Sequence, residues 1–206
     1  MAAHINSVAQ SGLPAATKDD FYHLLLGGDL VFCSGRDEIS LGIEKVTNSP
    51  FSHVLMAWLP AHANQWLTLE ATMRRGVHVG KLSDYVDGYE GDLVLARRPI
   101  LTVSEKFAQL NAGFGMLEDS YDWEQEVSIV CRKLLAGLPV IRPKGEYYCS
   151  GLIYMMSLAT SQPLQMPGPE LPTPEQNYTD ASVVPVCALL RRAKFGEGME
   201  PEIRAA

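Results

Sequence analysis

The sequence predicts an α+β fold, with an antiparallel sheet from the first half of the chain and helices from the second. Short runs of alternating apolar and polar residues recur between residues 28 and 98. After Pro99 the apolar residues take helical spacing instead. The length of 206 residues, with 47% hydrophobic and 20% charged residues, fits one globular domain. We therefore predict a single domain over 1–206, with a core at about 18–195 and loosely held termini.

The first half of the chain is predicted to contain two helices and five strands. One helix covers KDDFYHLL and stops at the glycines 27–28. The other covers DEISLGIEKVTN, where Asn48 and Pro50 are stop signals. The predicted strands are 30–33, 53–59, 66–71, 76–80 and 92–98.

The second half is predicted to be mainly helical. Thr102 and Glu105 fit a capping box at the start of a helix, and further helices are expected over about 123–135 and from about Cys149. The apolar face of the first of these would contain Phe107, Leu110 and Phe114. The prolines of PLQMPGPELPTP at 163–174 exclude a helix or a central strand, so we expect an ordered loop that covers the site. A last strand is expected in VVPVCALLRR.

Composition and charge make several classes of protein unlikely candidates. The net charge is −7 and basic residues do not cluster with aromatic ones, so we expect no nucleic acid partner. No apolar run reaches the roughly 18 residues of a membrane span. The four cysteines lack zinc-ligand spacing, so we predict neither a metal nor a disulfide framework. The first residues lack the pattern of a secretory signal, and we expect synthesis as a cytoplasmic protein.

The segment YYCSGLIYMMSL at 147–158 places a cysteine where a strand-like pair of tyrosines meets an apolar helix. The N-terminus of a helix stabilises a thiolate, and its outward-pointing N–H groups can hold an oxyanion. These properties suit a nucleophile. Cys149 also shares an i, i+3, i+4, i+7 stripe with Leu152, Ile153 and Met156, so the alternative is a buried core cysteine.

A thiol nucleophile needs a base, and His53 is the strongest candidate among the five histidines. His53 opens a predicted strand directly after the loop NSPFS. Glu70 lies in the short apolar strand WLTLEAT, where an unpaired carboxylate is costly. If these strands form a hairpin, Glu70 can hydrogen-bond the imidazole and orient it. The alternative is an ordinary strand histidine and a solvated strand-end carboxylate. Together with Cys149 the two residues outline a thiol triad.

The order His, Glu, Cys and the local sequences resemble the circularly permuted branch of the papain-like, NlpC-type cysteine amidases, the YiiX-like family. The matching segments extend over about residues 28–176. They are GDLVF at 28–32, NSPFSHVLMAW at 48–58, LEAT at 69–72, SYDW at 120–123, YYCSGLIY at 147–154 and LPTPEQ at 171–176. Members often carry an acidic or amide residue two positions after the cysteine, where this chain has Gly151.

The resemblance implies a papain-like core in which the cysteine helix packs against the antiparallel sheet that carries the histidine. Cys149 would be the nucleophile, His53 the base and Glu70 the third residue of the triad. The candidate substrate-binding residues are Tyr148, Ser150 and Ser52. The family's chemistry is hydrolysis or transfer at an amide or ester carbonyl through a thioester, with no metal or cofactor.

The implied substrate is a small peptide or amide, in particular a fragment of bacterial cell wall. Such an enzyme would reach the periplasm or a target cell by a route independent of a signal peptide, as an antibacterial effector or in a phage particle. Two alternatives stay open. One is an acyltransferase or lipid thioesterase on the same scaffold, and the other is a non-catalytic binding or structural protein.

Overall fold

A six-stranded antiparallel sheet forms the centre of the structure, a computed structural model that describes Val8 and residues 12–119, 148–165 and 172–191. The strands are β1 (Asp29–Ser34), β2 (His53–Trp58), β3 (Leu67–Thr72), β4 (Gly76–Lys81), β5 (Asp92–Arg97) and β6 (Val184–Leu189). Their order across the sheet is β4-β3-β2-β1-β5-β6. The α+β class and all six predicted strands are therefore confirmed.

The helices within the described residues are α1 (Lys18–Leu24), α2 (Glu38–Thr47), α3 (Leu82–Val86), α4 (Val103–Phe114), α5 (Cys149–Ser157) and α6 (Pro174–Tyr178). The sequence predicted α1, α2, α4 and α5 but not α3, which follows β4 directly. The predicted helix at 123–135 and the loose tail lie outside the described residues. None of the described helices is long and apolar enough to cross a membrane.

Side-chain caps fix the starts of several helices. The Asp37 carboxylate accepts hydrogen bonds from the N–H groups of the first turn of α2. Thr102 and Glu105 form the capping box predicted for α4. Helix α6 corrects the expectation that 163–174 contains no helical residue. It begins at Pro174 because proline at the first helical position loses no hydrogen bond, and Thr173 caps it.

Apolar side chains cover both faces of the sheet. Residues of α5, including Leu152, Ile153 and Met156, pack on one face, and residues of α1 and α3 pack on the other. The predicted apolar face of α4 is wrong at Phe107, which is 61% exposed. Helix α4 turns Gly113 toward the sheet instead, where a Cβ would lie 2.3 Å from a Leu69 methyl group. Only a glycine allows this close approach.

Candidate active site

His53 is the first residue of β2 and stands at one end of the sheet. The loop before it is held by the Ser52 N–H, which donates to the Cys33 carbonyl at 2.9 Å, and by Phe51, whose ring packs on Phe32 at 5.3 Å between centroids. His53 then pairs with Cys33 across β1 and β2. Its side chain is 18% exposed, which leaves the imidazole accessible from one side.

Glu70 lies on β3, with its carboxylate 3% exposed and surrounded by donors. Its Oε2 is 3.1 Å from His53 Nε2, the contact that the predicted hairpin requires. Thr68 donates to Oε1 at 2.6 Å, and the Tyr85 hydroxyl donates to Oε2. Burial raises the pKa of Glu70, but the hydrogen bond and charge of His53 and the two hydroxyl donors outweigh it and lower the pKa to about 2. Glu70 is therefore ionised at neutral pH.

Cys149 begins α5, as predicted, and Tyr148 precedes it without a side-chain capping hydrogen bond. The cysteine is 4% exposed and belongs to the same core cluster as Leu152, so both sequence-based interpretations describe part of its surroundings. Its thiol lies near enough to His53 to contribute to the raised pKa of that imidazole. Nε2 of the same ring faces Glu70.

The imidazole of His53 thus lies between a thiol and a carboxylate. Burial lowers the pKa of His53, but the negative charge and hydrogen bond of the Cys149 thiolate, followed by those of Glu70, raise it to about 10. A histidine between a thiol and a carboxylate is the arrangement in which a thiolate–imidazolium pair can form.

The three predicted substrate-binding residues occupy different positions. Ser52 lines the cavity beside His53, and its hydroxyl accepts from the Gly35 N–H at 3.2 Å. The Tyr148 hydroxyl donates to the Pro172 carbonyl at 3.1 Å, and its ring packs on Gly151. Ser150 is fully buried, and its carbonyl accepts from Asn177 at 3.0 Å.

The role of Tyr148 and Ser150 in substrate binding stays a prediction, since Cys149 itself is not among the residues that line the cavity. Both side chains are buried, as is the whole first turn of α5. Among the described residues, neither lines the cavity at His53. Tyr148 anchors the start of the cysteine helix instead.

A cavity of about 520 Å³ opens beside the imidazole. His53, Glu70 and His78 lie along it, together with two arginines of the β3–β4 turn, Arg74 and Arg75. Apolar and aromatic lining residues come from α2 and the segment after β4: Ile39, Ile43, Tyr85 and Tyr89. The cavity is large enough for a small peptide or acyl group.

Two residues near Glu70 were not singled out by the sequence. Tyr85 belongs to α3, a helix of five residues with too little periodicity to be predicted. His78 faces Glu70 across β3 and β4, with Nε2 at 3.9 Å from Oε1. A period-two count along GVHVG places His78 on the Glu70 face, which is the signal that could have found it.

The fold and site define a mixed α+β protein with cysteine, histidine and glutamate brought together at one end of an antiparallel sheet. Among solved structures, the crystal structure of the metalloprotein YiiX from Escherichia coli O157:H7 is similar, with a TM-score of 0.61 and 17% sequence identity. The match covers 80% of this chain and 97% of YiiX. At this identity it shows a shared fold. No protein-family model matches the chain, and no curated protein matches its sequence.

Because that neighbour is described as a metalloprotein, the donors around Glu70 require a test against metal coordination. In residues 12–119, 148–165 and 172–191, no group of three or more His, Cys, Asp or Glu side chains could hold a metal ion. Both Glu70 oxygens accept hydrogen bonds, and His78 Nδ1 lies 3.0 Å from the Gly76 carbonyl. These donors do not fit a metal site.

Proposed function

We propose that the chain is a cysteine hydrolase of the papain-like, permuted NlpC type that cleaves an amide bond. The observation that carries the proposal is the His53 imidazole between the Cys149 thiol and the Glu70 carboxylate. The shared fold with YiiX supports the choice of family. A carboxylate, an imidazole and a thiol in sequence are the parts of a thiol triad.

The reaction would proceed in two half-reactions. The Cys149 thiolate attacks the carbonyl carbon, and the electron pair of the C=O bond moves to oxygen. When the tetrahedral intermediate collapses, the C–N bond breaks and imidazolium His53 gives its proton to the leaving amine, which leaves a thioester. Neutral His53 then takes a proton from water, whose oxygen attacks the thioester, and the acid is released with the thiol restored.

The first turn of α5 supplies donors for the oxyanion. The first hydrogen bond within the helix runs from the Leu152 N–H to the Tyr148 carbonyl at 2.9 Å. The N–H groups of Cys149, Ser150 and Gly151 precede it and have no acceptor within the helix. N–H groups of this kind stabilise the developing negative charge next to the nucleophile.

The cavity supports a substrate with an acidic group. Arg74 and Arg75 are exposed on the β3–β4 turn and line the cavity at His53. Peptides of the bacterial cell wall, the substrates implied by the family resemblance, are amides that carry carboxylates. We propose such a fragment as the substrate.

A second candidate function is that of an acyltransferase or lipid thioesterase. The apolar wall favours it, because Ile39 is 58% exposed on α2 and lines the same cavity as Ile43. An acyl chain would bury this surface. Hydrolysis of a fatty-acyl thioester faster than of a cell-wall peptide would select this alternative.

The test of the proposed function is the rate of alkylation of Cys149 by iodoacetamide as a function of pH, followed by mass spectrometry. We expect fast reaction at and below pH 7, well under the free-cysteine value of about 8.5. His53→Ala should remove the reaction at low pH. The internal controls are Cys33 and Cys187, which are buried. If Cys149 reacts no faster than these two, the proposal is wrong and a binding or structural role is favoured.

A further inference from the structure

Tyr85 brings a phenol to the centre of the candidate site. Its hydroxyl donates to Glu70 Oε2 and lies 3.4 Å from His53 Nε2. Its ring stacks on the imidazole, with 5.9 Å between ring centroids and 12° between the planes. The tyrosine therefore contacts both the acceptor and the base of the proposed triad.

The two oxygens of the Glu70 carboxylate accept hydrogen bonds from different donors. Oε1 accepts from Thr68, which fixes the carboxylate. Oε2 accepts from both His53 and Tyr85, so the two donors share its negative charge. Since Tyr85 is a neutral donor, it draws charge from the oxygen that holds the imidazolium proton.

Tyr85 keeps its proton over the working range of pH. Burial, followed by the charge of Glu70, raises the pKa of Tyr85 well above its usual value. The phenol therefore donates its hydrogen bond to Glu70 throughout this pH range and cannot act as the base in place of the imidazole.

The second half-reaction defines a task for such a donor. In the thioester the Cys149 thiolate charge is gone, and Glu70 is the remaining anion that retains the proton on His53. His53 must be neutral to activate water. If Glu70 did not share its negative charge with Tyr85, it would hold the proton on His53 more strongly and oppose this step.

We propose that Tyr85 is a positioning residue that orients Glu70 and reduces its attraction for the His53 proton. The role of Tyr85 in turnover rests on the proposed function. Its effect on the pKa of His53 is a property of the His53–Glu70 pair alone. Through Tyr85, helix α3 directly affects the basicity of the His53 imidazole.

The test uses Tyr85→Phe in a Cys149→Ala background, which removes the thiolate and separates the measurement from thiol reactivity. The titration of His53 is followed by NMR of ¹⁵N-labelled histidine side chains. Tyr85→Phe should raise the midpoint of His53 by about one pH unit, the tenfold effect expected for one hydrogen bond to a charged group. In the chain with Cys149, thioester hydrolysis at pH 7 should slow by about tenfold for the same reason.

The matched control is Tyr22→Phe. Tyr22 also donates to a carboxylate, Asp87 Oδ2, at 3.3 Å, next to the end of α3, but has no contact with Glu70. Its loss should leave the His53 midpoint unchanged. If Tyr85→Phe is not folded by circular dichroism, site-specific 3-fluorotyrosine at position 85 replaces it. This more acidic phenol should lower the midpoint.

The outcomes separate the two proposals. An unchanged His53 midpoint in Tyr85→Phe, or an equal shift in Tyr22→Phe, would overturn the inference while the alkylation of Cys149 could still support the hydrolase. A raised midpoint in a protein whose Cys149 is unreactive would support the role of Tyr85 in the pair and contradict the proposed function.

Discussion

Glu70 is the residue at which the described contacts of the site meet. It accepts hydrogen bonds from Thr68 and Tyr85, pairs with His53 and lies 3.9 Å from His78. A carboxylate this buried is stable as an anion only with such donors. Changes at Glu70 should therefore affect both reactivity and stability.

Glu70→Gln keeps the shape of the side chain and removes its charge. Without that charge the imidazolium is less stable, and so is the thiolate paired with it. We expect the pH at which fast alkylation of Cys149 begins to rise by about one unit or more, and turnover to fall at least about tenfold. Circular dichroism should show an intact fold. An alkylation profile that coincides with that of the parent would contradict the role of Glu70.

The free energy of unfolding should decrease toward both extremes of pH. Glu70, with a pKa lowered from 4.5 to about 2, contributes stability above pH 4.5 that is lost as the pH falls through about 2. His53, with a pKa raised from 6.5 to about 10, contributes stability below pH 6.5 that is lost as the pH rises through about 10. Urea titrations between pH 2 and 10 measure both effects.

His53→Ala provides the control for this profile. It removes the basic partner and leaves Glu70 buried without its cation, so the loss of stability below pH 4.5 should become smaller. The same pH dependence in parent and variant would show that the pair does not stabilise the fold.

At the scale of single residues the sequence indicated the triad but not its surroundings. His53 and Glu70 could be paired because a carboxylate in an apolar strand needs a partner. Tyr148 and Ser150 were assigned to the substrate because they flank Cys149, and burial excludes their side chains from the cavity. The direction of a side chain in the first helical turn depends on the rotation of the helix about its axis. Being adjacent to Cys149 in the sequence does not determine it.

At the scale of secondary structure, β4 makes room for the Glu70 carboxylate. A Cβ at Gly80 would lie 2.5 Å from Thr68 Oγ1 and 2.6 Å from Glu70 Oε1. Gly80 pairs with Thr68 in the register of β3 and β4. The glycine thus leaves space for the hydrogen bond that fixes Glu70.

Gly80→Ala should displace Thr68 or Glu70. We expect a loss of about 1–3 kcal/mol in the free energy of unfolding, as for other overpacked sites, and slower alkylation of Cys149. Gly42→Ala is the matched control, because a Cβ there meets nothing within 4 Å on α2. It should stabilise the protein by up to about 1 kcal/mol. Equal stability of the two variants would contradict the packing role of Gly80.

The elements that the sequence predicted are those with a clear period or a clear cap. Helix α4 begins at the capping box of Thr102 and Glu105, and each strand shows its apolar run. Helix α3 has five residues, fewer than two turns, and no side-chain cap at Lys81. Its position depends on tertiary packing of Leu82 and Val86 under the sheet, which no local pattern reveals.

On the scale of the whole molecule, the net charge of −7 contrasts with the two arginines at the cavity. Asp37 and Asp84 also line the cavity, so it carries negative and positive charges at separate positions. A substrate carboxylate would be drawn to the β3–β4 turn in particular.

Arg74→Gln combined with Arg75→Gln should raise KM for a carboxylate-bearing amide by about tenfold, the effect of losing charge-assisted hydrogen bonds, with kcat little changed. An amidated form of the same substrate should lose this sensitivity. Lys81→Gln is the control, since Lys81 is an exposed cation at the opposite end of β4. Equal KM values for parent and double variant would exclude a carboxylate subsite at this turn.

The distribution of the site along the chain has a consequence for biosynthesis. His53, Glu70 and Tyr85 come from β2, β3 and α3 in the first half, whereas Cys149 follows much later in α5. A ribosome releases the first half before the second, whereas a domain generally folds as a unit. His53 and Glu70 thus leave the ribosome before the proposed nucleophile, and the helix that packs on their sheet is the last of these parts to arrive. A polypeptide truncated before Cys149 would contain His53 and Glu70 but lack both the proposed nucleophile and the α5 side chains that cover their sheet.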